Sequence, residues 1–589
     1  MKKMIRLFAA SALMITMAFS VSARPSKTGK IIRTQPDGSK IEVTMHGDEF
    51  HHWMTSDGVV VAKDSDGYIR PVVQTAAEKS KALRRAAALR QARKRPTTIR
   101  KAPVTGPAHS LVVLVEFSDL KYSQTNPQSA FSDLLNKKGY NTNGAVGSAF
   151  DYFYENSGGK FQTTFDVVGP VTLSNTMAYY GQNDSNGNDK QPVIGFIEAC
   201  SQLNSSVNFA DYDNDGDGYV DEIFFFFAGY NEAEGGPENA IWPYQWDVAS
   251  ELSSLGKTSV NYTFDGVKLG SFACASEFFG SSGSQMCGIG TFCHEYGHVL
   301  GLPDFYDTDY EDNGEATDML FYSLMASGCD NNDGKCPPYL TTIEKDILEW
   351  MEMPEYLSKS GQYTLNPVQN NVAWLLRTDV ENEFYVLECR GSEGWDAGLD
   401  DAGLLIYHVD KSTNKVGGKT AASKWEDLFE ANDLNAYSNH PLCCVVPSNP
   451  EANYYADDYL FPGYVKATAF DDTTDPAAKG WSGNATGHYV RNIAYSNNAV
   501  TFTYTNGDAA EFSFNAIANP GNGVYQAGES FALSLVQSGA TPKSVKWLFD
   551  GIVQAGSSVT LTTGLHTVSA VILYEDNSSE LLEQKIKVQ

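Results

Sequence analysis

The side chains best suited to chemistry fall in one run, HEYGHVLGLPD, at residues 294–304. His294 and His298 are four apart, so on a helix they share one face and can grip a single ion. Glu295 sits directly after the first of them. There it can take a proton from a water held at the ion without occupying a coordination position. Gly301 lets the chain leave the helix sharply, and Pro303 stops its continuation. Asp304 then swings back as the candidate third ligand. Three protein ligands and one open position describe a catalytic zinc site, whereas a structural zinc would need four closed ligands. Cys293 adjoins His294 but points away from the ligand face of a helix, as a packed thiol.

A second cluster, DYDNDGDGYVDE, occupies residues 211–222. Asp213, Asp215 and Asp217 take the first, third and fifth positions of an EF-hand-like calcium loop. Gly218 holds the turning position, the carbonyl of Tyr219 comes seventh, and Asp221 is ninth. The twelfth position is Phe224, so the usual bidentate Glu is missing. Calcium is the expected cation, because clustered carboxylates repel strongly without one.

These groups need a frame. Thr291 to Leu302 is apolar with helical spacing and carries the histidines. Leu111 to Phe117 and Ile223 to Phe227 have the length and composition of buried strands, and Ala149 to Tyr154 and Tyr339 to Met351 are expected helices. Strands mixed with helices over 107–350 make an α/β or α+β domain. Upstream, Thr34 to Val73 alternates apolar and polar residues around Asp37-Gly38, Asp57-Gly58 and Asp66-Gly67, which spells a small antiparallel β unit. Gln74 to Arg95 is Ala-rich and basic, expected to be helical and then a linker. Beyond Trp350 short strands dominate, and from Asp508 their spacing with Gly turns fits a β-sandwich.

The chain has 589 residues and a net charge of −29, unevenly spread. Arg24–Gly106 carries 17 Lys/Arg against 8 Asp/Glu, and the remainder from Pro107 carries 23 against 64. So acidic a surface disfavours nucleic-acid binding. The reversal near residue 106 marks 24–106 as a separate unit, opposite in charge to the acidic remainder and complementary to it. Lys2, Lys3 and Arg6, the apolar run Leu7 to Ser20, and Val21-Ser22-Ala23 read as a signal peptide, too short to span a bilayer. No later segment is long enough to be transmembrane. Nine cysteines in an exported chain permit disulfides, with Cys329 and Cys336 able to pair across a short loop.

Taken together, the zinc run, Phe305-Tyr306-Asp307 after it, Ile241-Trp242-Pro243, Trp246, Glu344-Lys345 through Trp350, Gly403-Leu404-Leu405-Ile406-Tyr407-His408 and the upstream His46-Gly47-Asp48-Glu49-Phe50 resemble the immune inhibitor A family of secreted bacterial metallopeptidases, of metzincin type. The resemblance covers roughly residues 35–505. It departs at Tyr322-Ser323 before the turn and at Leu348-Glu349-Trp350. It implies a multidomain architecture: signal peptide 1–23, propeptide 24–106, an α/β metzincin-like zinc peptidase catalytic domain 107–350, a β-rich domain 351–507 and an immunoglobulin-like β-sandwich module 508–589. It further implies that Met325, in Ser323-Leu324-Met325-Ala326-Ser327-Gly328, is the Met-turn residue beneath the metal. Glu232 or Glu234 would complete the calcium shell.

The expected activity is zinc-dependent hydrolysis of proteins or peptides by a secreted or cell-surface enzyme, with its own propeptide as inhibitor. The propeptide has no Cys, so a cysteine switch is excluded, and His46, Asp48, Glu49, His51 and His52 are its available zinc donors. Tyr339 is a weak candidate for steadying an oxyanion and better read as a core aromatic. A competing reading is a non-catalytic adhesin or glycan-binding protein that uses the β-rich C-terminal half. A serine hydrolase is discounted, since Gly280-Ser281-Ser282-Gly283-Ser284 lacks the final Gly of a nucleophile elbow.

Overall fold

The computed structural model describes Ser26 and residues 30–48, 51–73, 79, 81–85, 103–184, 188–308, 314, 316–426, 428, 432–452, 459–507, 510–516, 524–528, 530–537, 542–574 and 579–589. The signal-peptide reading at 1–23 and Glu49 lie outside these residues. No helix among the described residues is long and apolar enough to cross a membrane.

Two compact units divide the chain. The first comprises residues 1–353, 392–400 and 410–445, and the second 354–391, 401–409 and 446–589. The sequence-based boundary at residue 350 therefore cuts across a unit that resumes twice further along.

The first unit begins with a five-stranded antiparallel meander: β1 (Lys30–Thr34), β2 (Lys40–Asp48), β3 (His51–Ser56), β4 (Val59–Lys63) and β5 (Ile69–Pro71). Asp57 and Gly58 both have positive φ, as a two-residue turn between β3 and β4 requires. Residues 81–85 are helical. Next along the chain is a six-stranded mixed sheet. Its parallel core runs in the order β7 (Phe161–Thr172), β6 (Gly106–Glu116), β8 (Tyr219–Phe227), β11 (Val267–Ser276). The short strands β9 (Gln245–Asp247) and β10 (Thr263–Phe264) both pair antiparallel with β11.

The helices flanking this sheet include α1 (Pro127–Asn136), α2 (Ala149–Asn156), α3 (Pro192–Leu203) and α4 (Gly290–Leu300), and α5 (Thr342–Ile347) follows along the chain. Strand β8 shows how both faces are filled. Alternate side chains point to opposite faces, so Phe225 stacks on Phe196 of α3 at 4.3 Å. Phe224 and Phe226 meet Phe292 of α4 on the other side, at 4.5 and 5.9 Å. The helix expected over Tyr339–Met351 is shorter. Thr341 and Glu344 form a capping box that starts it late, and Glu349 adopts a positive φ just past its end.

The meander packs on the loop around Asn231–Trp242 of the same unit. Ile31, Val43, Met45, Val61 and Ile69 form one apolar cluster with Ala233 and Trp242. Gly235 has φ +89°, and a Cβ there would lie 2.7 Å from Ile31. Arg33 donates to the carbonyls of Gly235 and Gly236. The charge contrast read from the sequence contributes at the rim, as in Lys63–Glu238 at 3.3 Å, while apolar burial forms the centre.

None of the nine cysteines forms a disulfide. The expected Cys329–Cys336 pair does not form. The Cys336 thiol is directed at the carbonyl of Trp395 at 3.1 Å, and that of Cys329 at Ala326 at 3.5 Å. Cys293 is the buried thiol that the sequence suggests.

In the second unit, Gly361–Leu365, Ala499–Asn506, His488–Ser496 and Ala469–Phe470 form an antiparallel sheet. Leu365, Val490, Val500 and Phe502 share a core with Leu387, from the strand Glu383–Arg390 of a different sheet. A separate core lies nearer the C-terminus. There Phe531 and Leu533 of one sheet pack with Val568, Ala570 and Ile572 of another, as in a sandwich.

At the meander contact, His52 Nε2 lies 3.5 Å from Glu232 Oε1 and its ring stacks on Trp242 at 4.7 Å. Burial opposes the charge on His52, but Glu232 and the Asp48 carbonyl raise its pKa above 6.5 overall. A raised folded-state pKa adds stability that is complete below the unfolded value and is lost as pH climbs through the folded one. Resistance of the meander to urea should therefore fall as pH rises above 6.5. Glu232→Gln should flatten that dependence, and a flat wild-type profile would count against the pair.

Candidate metal centre

Helix α4 presents two different faces. Phe292 and Tyr296, one turn apart and stacked at 5.7 Å, face the sheet, and the Tyr296 hydroxyl meets Ser110 Oγ at 2.6 Å. With that face fixed, His294 and His298 must turn the other way. The helix ends in a Schellman motif: Gly301 at φ +113° donates to His298 O at 3.1 Å, and Leu302 donates to Gly297 O at 2.9 Å. This reversal brings the Leu302 carbonyl back to accept His298 Nδ1–H at 2.8 Å. Gly301 and Pro303 thus steer Asp304 toward both histidines.

The three donors converge. His294 Nε2 and His298 Nε2 are 3.2 Å apart, and Asp304 Oδ1 lies 3.5 and 3.4 Å from them. Zinc bonds of about 2.0–2.1 Å at tetrahedral angles would set such edges at about 3.3–3.4 Å. Two imidazoles and one carboxylate are also a donor set that zinc accepts, and together they could hold a metal ion. Each imidazole gives its Nδ1–H to a backbone carbonyl, Leu324 for His294 at 2.9 Å and Leu302 for His298. That fixes the tautomer and leaves Nε2 as the donor. Glu295 is fully buried beside them.

The electrostatics reflect this crowding. Burial works against the charged forms of all three groups. For Asp304 the two histidines outweigh it and hold the carboxyl well below the usual range. His294 is raised overall, against burial, by Asp304 and Cys329, whereas burial wins at His298 and lowers it.

The turn beneath the helix is tied to both sides of the site. Leu324 supplies the carbonyl for His294, and Met325 O accepts the amide of Phe305, the neighbour of Asp304, at 2.8 Å. The Met325 sulfur packs so closely under α4 that a Cβ on Gly297 would lie 2.7 Å from it. The buried carboxylate of Glu344 clamps the turn to the start of α5. It accepts Ser323 Oγ–H at 2.7 Å, Met325 N–H at 3.2 Å, and the amide and hydroxyl of Thr341.

Asn432 holds Asp304 itself. It accepts the Asp304 amide at 2.7 Å and donates to Asp304 Oδ2 at 2.6 Å. Neither Glu344 in this role nor Asn432 was found from the sequence. Glu344 carried a signal in its capping-box spacing from Thr341, while Asn432 stands in no motif.

The acidic loop is drawn together only in part. Carboxylates of Asp213, Asp215 and Asp217 lie within 4.8 Å of one another. The Asp217, Gly218 and Tyr219 amides bond to them. Asp221 instead accepts the amide and side chain of Asn214, both at 2.8 Å, and its burial raises its pKa to about 6. Glu232 and Glu234 do not close the shell. Glu232 takes the Asn183 amide beside His52, and Glu234 takes the Gly280 amide at 2.6 Å.

The three-donor cluster includes none of His46, Asp48, His51 and His52. His46 meets Thr55 Oγ1 at 2.8 Å, and His52 faces Glu232. Tyr339 points its hydroxyl at Glu155 (3.4 Å), which also accepts from Trp395, in keeping with a core aromatic.

Residues 106–352 match the family model described as immune inhibitor A peptidase M6, catalytic domain. The chain is 28% identical over 253 residues to immune inhibitor A of Bacillus thuringiensis subsp. alesti, covering 37% of this chain and 36% of that protein. It is 30% identical over 238 residues to the pre-pro-metalloprotease PrtV of Vibrio cholerae serotype O1, covering 36% and 25%. The matches thus span little more than a third of these relatives at most. A crystal structure of OgpA from Akkermansia muciniphila aligns at 10% identity over 84% of this chain and 96% of that one. Its TM-score of 0.20 supports no argument about the fold. On the family match and the two relatives, residues 106–352 of this chain are similar to the catalytic domain of the immune inhibitor A peptidase M6 family.

Proposed function

We propose that the protein is a zinc-dependent endopeptidase, exported and made as a zymogen, that hydrolyses peptide bonds in proteins or peptides. The observation that carries this reading is the convergence of His294, His298 and Asp304 at 3.2–3.5 Å, with Glu295 next to the first of them. The family match over 106–352 favours it over the adhesin reading.

His294, His298 and Asp304 would hold the ion. A bound zinc would supply Lewis acidity toward the scissile carbonyl and make a water acidic enough to ionise near neutral pH. The chain's own part is positional and protonic. Leu324 and Leu302 hold the imidazoles through Nδ1, and Met325 keeps the floor of the site beneath α4. Glu295 takes the proton of the attacking water on its carboxylate and returns it to the departing amine.

The prosegment, residues 24–106, is the proposed inhibitor. Its docking on the Asn231–Trp242 loop supports that role. Calcium is the proposed occupant of the acidic loop, on Asp213, Asp215, Asp217 and the Tyr219 carbonyl, with Asp221 holding Asn214 in place.

Casein hydrolysis by the processed protein, with and without a zinc chelator, tests the activity. Chelation should abolish it. Glu295→Gln should lose about 10²–10⁴-fold in rate while keeping about one zinc per chain. Activity that survives both treatments would remove the metallopeptidase reading.

Calcium is tested by thermal unfolding. At about 100 times its Kd, a ligand that binds only the folded chain adds about 2.7 kcal/mol. The calcium-dependent rise in Tm should therefore be clear, and Asp215→Asn should suppress most of it. A Tm insensitive to calcium in the wild-type chain would dismiss the site.

A further inference from the structure

Asp304 stands in irregular chain, beyond a helix that has just ended. No helix or strand geometry fixes its side chain, so something else must oppose the entropy of a rotating carboxylate. Asn432, 128 positions further on, does so with two hydrogen bonds. Its Oδ1 accepts the Asp304 amide at 2.7 Å, and its Nδ2 donates to Asp304 Oδ2 at 2.6 Å. These partners fix the amide orientation, because the reverse would set N–H against N–H and a carbonyl against a carboxylate. With Oδ2 engaged, Oδ1 is the oxygen that faces both histidine Nε2 atoms.

Asn432 is in turn firmly placed. It sits at φ 41°, in the left-handed region that Asn tolerates better than most residues. Its carbonyl accepts Thr308 Oγ1–H at 2.9 Å. Three residues on, Asn435 donates to Phe305 O at 2.8 Å and to Cys443 O at 2.7 Å, and accepts the Cys443 amide at 3.0 Å. Residues 432–443 are thus bonded both to themselves and to the chain around Asp304. All of them belong to the first compact unit, although they lie outside the matched residues 106–352.

We infer that Asn432 is a positioning residue for the metal centre, fixing the Asp304 carboxylate so that one oxygen alone is offered to the ion. The site is then assembled from 294–304 and from 432 together, and the matched catalytic segment does not contain all of it. The inference rests on the zinc reading above.

The test compares the full-length chain with Asn432→Leu and Asn432→Asp. The leucine removes both hydrogen bonds. The aspartate keeps the size and the acceptor for the Asp304 amide but turns the donor into a second carboxylate oxygen. Zinc affinity is measured by competition with a chelator, and the visible spectrum of the cobalt-loaded protein reports coordination. Thermal unfolding of the metal-free forms reports the fold.

Both variants should bind zinc about 10–100-fold more weakly and change the cobalt band. The metal-free Tm of the aspartate variant should lie nearer that of the wild type than does that of the leucine variant, which strains the backbone at φ 41° and leaves the Asp304 amide unpaired. If the leucine variant fails to fold, the near-isosteric aspartate variant decides. Wild-type affinity and an unchanged cobalt spectrum in the folded variants would overturn the inference. A wild-type chain that takes up no zinc would overturn the metal reading itself, so the two failures are distinguishable.

Discussion

Three polar donors must meet within 3.5 Å of one another inside a buried site, and the surrounding structure answers to that constraint. Bringing two imidazoles and a carboxylate so close is costly unless each is held from its far side. The far side is a backbone carbonyl for each histidine and an amide side chain for the aspartate. Two of these three supports stand next to the helix they serve. Leu302 is two residues past the helix end and Leu324 belongs to the turn below it, so the end of α4 and that turn are fixed by the same contacts that fix the donors.

The sheet contributes orientation. Strand β8 puts Phe224 and Phe226 against Phe292, while Phe225 goes to the opposite face. The apolar face of α4 is thereby set on the sheet, and the polar groups one turn apart on its other side have only one direction left. Glu344 extends the same logic to the turn. One buried carboxylate gathers four donors from two segments, so α5 and the Met325 turn move as one piece. Burial raises the pKa of that carboxyl, and the hydrogen bonds oppose the shift.

The parts legible in the sequence were those governed by local periodicity. His294, His298 and the reversal at Gly301 follow from helical spacing and from the conformational freedom of glycine. The buried strands Leu111–Phe117 and Ile223–Phe227 follow from runs of β-branched and aromatic residues, and the meander from Asp-Gly turns. Reading failed where partners distant in sequence decide. The resemblance implied that Glu232 or Glu234 completes the acidic loop's shell, but one faces the meander and the other the Gly280 amide. Cys329 and Cys336 are near in sequence, yet each thiol has turned to a different carbonyl. Their spacing alone carried no information about direction.

The same distinction bears on where the catalytic unit ends. A boundary drawn where helices give way to short strands stops near 350, because such patterns record local structure. Compactness records contacts, and by that measure 392–400 and 410–445 belong with the helix that bears the histidines. Trp395 donates to Glu155 at 3.0 Å and packs edge-on against Tyr152 of α2 at 5.1 Å, so the first returning segment contributes to the core. The second brings Asn432 and Asn435 to the chain that leaves α4. A segment without a motif of its own can therefore set the geometry of a motif, since a hydrogen bond depends on distance in space and not on separation along the chain.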